Sequence, residues 1–72
     1  MNAQERAALK LRGKRIFRAR HKDTCALSSL RWEGVARSPK DALKKACKDY
    51  AGTRPEDWDL REYTGLGGWR KA

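Results

Sequence analysis

The residues with reactive side chains are few and scattered. The chain holds one histidine, His21, and two cysteines, Cys25 and Cys47. An imidazole-activated thiolate would have to be built from His21 and Cys25. A small apolar cysteine within a strand and a histidine at a strand end account for the same residues more simply. Neither a C-x-x-C nor an H-x-x-x-H pair occurs, so the ligand spacing of a structural zinc site is missing. The carboxylates of "PED" (55–57) and "DWD" (57–59) offset basic charge and favour a helix start, rather than forming an acid–base pair. "GLGG" at 65–68 lacks the glycine spacing and the following helix of a phosphate-binding loop. The sequence therefore reads as non-enzymatic, with no metal, no cofactor and no small-molecule substrate.

Charge carries more information. The formal net charge is +9 over 72 residues. Residues 1–22 hold eight basic side chains against Glu5 alone, whereas the remaining fifty hold ten basic and eight acidic ones. A concentrated basic segment attracts phosphate polymers or acidic protein surfaces through its long-range field. Its densest part is "KRIFRARHK", residues 14–22. As a strand, this stretch puts Phe17, Ala19 and His21 on one face and Ile16, Arg18 and Arg20 on the other. The rival, a helix running through to Arg20, is interrupted by Gly13. Arg18 and Arg20 would then stand about 7 Å apart on a solvent face, suited to successive phosphates.

The candidate binding set is Arg12, Lys14, Arg15, Arg18, Arg20, Lys22 and Arg31. Trp69 and Arg70 join it as an aromatic and a cation able to stack on a base. The first reading is a small basic nucleic-acid-binding protein, for DNA or RNA, dominated by phosphate contacts. The alternative is a protein-binding adaptor or inhibitor of the phage or mobile-element type, docking its amino-terminal segment on an acidic surface.

These side chains must be positioned by few elements. Asn2 to Arg12 is rich in helix formers, with Asn2 as cap, Glu5 at the third helical position and Gly13 as stop. Its apolar stripe, Ala7, Ala8 and Leu11, is thin, and a helix this short is marginal alone. Lys14 to His21 is a strand. Thr24 to Arg37 is strand-like in two pieces, with a bulge at Ser28-Ser29 and a hairpin in "LRWEGVAR" turning at Gly34. "SPKDALKKACKDYAG" is the clearest element: a helix capped by Ser38, with Pro39 first and Gly52 beyond its end. Ala42, Leu43, Ala46, Cys47 and Tyr50 make its buried face, and Lys40, Lys44 and Lys48 its solvated one. A short turn at 55–57 leads to a strand at about 58–63.

The fold class is therefore α+β: a small antiparallel β-sheet of about three to four strands, one amphipathic helix on one face, and a marginal amino-terminal helix. The organisation expected is a basic helix or arm at 1–13, a single α+β domain at 14–64, and a flexible glycine-rich tail at 65–72. The chain has no apolar leader and no stretch long enough to span a bilayer, which suggests a cytoplasmic protein with reduced thiols.

The order of hairpin, Ser cap and amphipathic helix over about residues 14–51, with "SPKDALKKAC" at its centre, resembles a group of small β-sheet modules. They include the arm-binding domains of phage integrases, plant AP2-type domains and the partial double-stranded-RNA-binding-like fold of HicB antitoxins. The resemblance implies a binding surface on the sheet and assigns no particular residue.

Overall fold

The computed structural model describes residues 1–22 and 30–72. The order is α1 (Ala3–Leu11), β1 (Ile16–His21), β2 (Arg31–Val35), α2 (Pro39–Asp49), a 3₁₀ turn (Pro55–Asp57), β3 (Trp58–Tyr63) and β4 (Trp69–Lys71). The four strands form one antiparallel sheet in the order β2-β1-β3-β4. The chain is α+β, as expected.

The register sorts every side chain to a face, because directly paired residues point the same way. Phe17 pairs with Gly34 and Glu62, Ala19 with Trp32 and Leu60, and His21 with Trp58. This face meets α2. Phe17, Ala19, Ala36, Ala42, Ala46, Trp58 and Leu60 make the buried core, and Leu30, Trp32, Leu43, Cys47 and Tyr50 pack around it. Ala42 and Ala46 are fully buried where α2 meets the sheet. Cys47 is a free thiol.

Local sequence explains the helix ends. Ser38 Oγ accepts from the Asp41 N–H at 3.1 Å, and Pro39 opens α2. Asn2 Oδ1 accepts from the Glu5 N–H at 2.9 Å. At the other end of α1, Gly13 adopts φ +75. Its N–H bonds to the Lys10 carbonyl and that of Lys14 to the Leu9 carbonyl, the paired bonds of a Schellman stop.

Two expectations are corrected. "LRWEGVAR" is no hairpin: β2 runs straight through Gly34 and pairs along its length with β1. The glycine is required for a different reason. A Cβ there would lie 2.8 Å from the Trp32 ring, so the indole can lie flat over the strand. The "tail" at 65–72 instead holds a tight turn and the strand β4. Gly65 and Gly67 adopt φ +88 and +79, and the Thr64 N–H bonds to the Gly68 carbonyl at 3.0 Å. These glycines supply the left-handed conformations that a short hairpin loop needs. The turn expected at 55–57 is present as a 3₁₀ turn closed by Asp57, whose carboxylate accepts the Arg54 N–H at 3.0 Å. The expected bulge at Ser28-Ser29 and the thiol of Cys25 lie outside the described residues. Among the described residues, no helix is long and apolar enough to cross a membrane.

Candidate nucleic-acid interface

The sheet face away from α2 has three rows. The first is apolar: Val35, Ile16, Tyr63 and Trp69, read from β2 to β4. Burying Ile16 here takes a second cover, and α1 supplies it; Ile16 is fully buried. The helix is held by its charged end. Arg6 donates to Glu33 at 3.0 and 3.4 Å, and the amino-terminal ammonium lies 3.8 Å from the same carboxylate. The Arg6 guanidinium also stands 5.3 Å from the centre of the Trp69 ring.

The second row reads Glu33, Arg18, Arg61, Lys71, and the third Arg31, Arg20, Asp59. Here the sheet carries a depression of about 310 Å³, lined by Arg18, Ala19, Arg20, Arg31, Asp59 and Arg61. Two pairs of like charges sit directly opposite across the ladders: Arg18 with Arg61, and Arg20 with Arg31. Arg61 is 3.7 Å from Asp59. Among the described residues, Arg18, Arg20 and Arg31 make no ion pair. Glu33, directly opposite Arg18, is already bound by Arg6. Arg18 lies against Trp69, with 4.2 Å from its guanidinium carbon to the ring centre.

The structure thus brings together Arg18, Arg20 and Arg31, with Trp69 beside them. It separates the others. Arg15 is on the α2 face, donating to Glu62 at 2.9 and 3.0 Å and to the Arg37 carbonyl at 3.2 Å. Its guanidinium also lies 5.2 Å from the Phe17 ring centre. Arg70 approaches the same Glu62 at 3.5 Å. Those hydrogen bonds from Arg15, opposed by burial and helped by both positive charges, hold the Glu62 carboxyl below the usual range. Arg12, Lys14 and Lys22 are exposed at element ends, away from the depression. His21 Nε2 is 4.0 Å from Asp57, and its ring meets Trp58 edge-on. Arg61 was missed in the sequence. The alternation of "WDLREY" carries the signal, since burying Trp58 and Leu60 turns Asp59 and Arg61 to the other face.

No protein-family model, no curated protein and no solved structure matches the chain.

Proposed function

We propose that this chain is a small, non-enzymatic nucleic-acid-binding protein that lays the arginines of its open sheet face on phosphates. The observation that carries the reading is the pair of directly opposed arginine pairs, Arg18–Arg61 and Arg20–Arg31. Like charges facing each other across a ladder destabilise a sheet. Three of the four guanidiniums make no ion pair among the described residues, and the four share one lining carboxylate, that of Asp59, which lies opposite Arg20 and pairs with Arg61, so the repulsion is only partly offset. An anionic polymer would relieve both pairs at once. Affinity would then come from phosphate neutralisation with release of counterions. A cytoplasmic location, as the sequence suggests, fits this reading.

The test is fluorescence anisotropy with labelled oligonucleotides over a range of salt concentrations. Binding should weaken steeply with salt. Replacing both Arg20 and Arg31 by Ala should reduce the slope of log K against log salt by about 1.4–1.8, as two lost phosphate contacts require. If the parent binds neither single strands nor duplexes at low salt, and a lysate partner survives nuclease, an acidic protein surface takes the place of the nucleic acid.

A further inference from the structure

We propose that the nucleic acid bound on this face is single-stranded and that Trp69 is the platform on which one unpaired base stacks. This deepens the nucleic-acid reading of the face and rests on it. The arginines line a depression of about 310 Å³ rather than the crest of a projecting element. The major groove of duplex DNA admits a projecting helix or two-stranded ribbon, the commonest way a duplex is read directly. Here the arginines sit on the sheet floor instead, beside α1. The one helix on this face has Arg6 already engaged with Glu33 and Trp69.

Arg18 joins the two parts of the site. It lines the depression, and its guanidinium lies 4.2 Å from the Trp69 ring centre. A phosphate held by Arg18 and Arg20 would therefore have its own base beside Trp69. In a duplex that base is paired and turned inward, and it cannot offer its face to the ring. In a single strand it can. A basic track flanked by an aromatic ring is the arrangement that binds single strands, with the ring accepting any base because every base has a π face. Trp69 is half-buried, backed by Tyr63 at 5.3 Å between ring centres. The ring is thus held at a fixed angle while part of it remains open. A base arriving there would take the place of the Arg18 guanidinium, which would then be free to meet the phosphate.

The experiment compares a short single strand with the blunt duplex of the same sequence at one salt concentration. The single strand should bind about tenfold tighter or more, and should quench the tryptophan emission of the parent. Trp69→Phe should keep most of the affinity but lose the quenching, because Trp58 is buried and Trp32 lies on the opposite face. Trp69→Ala should weaken single-strand binding about fivefold or more and weaken duplex binding less than that. If W69A does not fold, the quenching lost or kept in W69F decides. A parent that prefers duplex overturns the single-strand inference and leaves the nucleic-acid reading standing. A parent that binds neither overturns both. Quenching that survives in W69F, or W69A binding as the parent does, removes Trp69 from the site.

Discussion

Arg20 and Arg31 stand directly opposite each other across the β1–β2 ladder, on the sheet face that α2 does not cover. This pairing sets stability against binding. Arg31→Glu converts a repulsive cross-strand pair into an attractive one, which should stabilise the fold by about 0.2–1 kcal/mol. The same change puts a carboxylate where a phosphate would sit, so nucleic-acid affinity should collapse. Denaturant titration and anisotropy on one protein sample read both effects. Unchanged affinity in a more stable variant would take Arg31 out of the interface.

The Glu62 cluster makes the opposite prediction, for stability without binding. Its side chain is only 6% exposed, yet it carries two hydrogen bonds from Arg15 and faces Arg70 as well. The carboxyl is held below its ordinary range in the folded chain, first by those hydrogen bonds. A depressed folded pKa means that the stabilisation is fully present above the unfolded value, about 4.3, and is lost as pH falls through the folded value. Asp41 acts in the same direction, because it accepts the Arg37 N–H. Glu62→Gln should cost about 1–3 kcal/mol near neutrality, as loss of hydrogen bonds to a charged group does. The gap between variant and parent should narrow on acidification, so melting temperatures across the acid range decide the matter. A gap that stays constant with pH would show that the Arg15–Glu62 pair does not govern acid unfolding.

The capped helix α2, the strand β1 and the faces of both were legible because each rests on a local rule. Ser38 and Pro39 mark a helix start, and period-two alternation sorts Phe17 from Arg18. The tail at 65–72 was misread because glycine density looks the same in a mobile segment and in a turn that needs two positive φ angles. What separates the two readings is the pairing of Tyr63 with Trp69, a contact that neither segment announces alone. The site was half legible for a related reason. Parity puts Arg18 and Arg20 together within one strand. That Arg31 and Arg61 flank them depends on strand order and register. Arg15 was included on charge alone, although its parity turns it toward Glu62.

Gly34 gives a packing prediction that follows from its corrected role. A methyl group there would lie 2.8 Å from the Trp32 ring. The ring cannot swing away freely, because its Nε1–H donates to Asp49 at 2.8 Å at the end of α2. Gly34→Ala should therefore force the indole off the strand and break that bond, at a cost of about 1–3 kcal/mol typical of overpacking. Gly52, where an added Cβ meets nothing but where φ is +90, is the control for backbone strain without a clash. Near-ultraviolet circular dichroism should change for the Gly34 variant and stay as in the parent for Gly52→Ala. The same near-ultraviolet spectrum in G34A as in the parent would mean that the indole accommodates the methyl group in place.

The last prediction concerns how α1 is held. No residue of α1 is fully buried, whereas α2 buries Ala42 and Ala46 completely. Amides of α1 should therefore exchange with solvent well before those of α2, because local opening there exposes little apolar surface. Arg6 is the main clamp, joined to Glu33 and resting against Trp69. Arg6→Ala should speed exchange in α1 further, and more than in α2. Global stability should fall by about 1.5–3 kcal/mol, as for hydrogen bonds to a charged group at a part-buried site. The variant has a second consequence at a distance. Glu33 lies directly opposite Arg18, and Arg6 normally occupies it. Without Arg6, the Glu33 carboxylate turns to Arg18 and neutralises one wall of the depression. Nucleic-acid affinity should then fall more than the loss of one remote charge would cause, and Glu33→Gln in the same background should restore it. Hydrogen exchange and anisotropy on the single and double variants test both halves. If E33Q fails to rescue R6A, Glu33 and Arg18 are not coupled across the ladder.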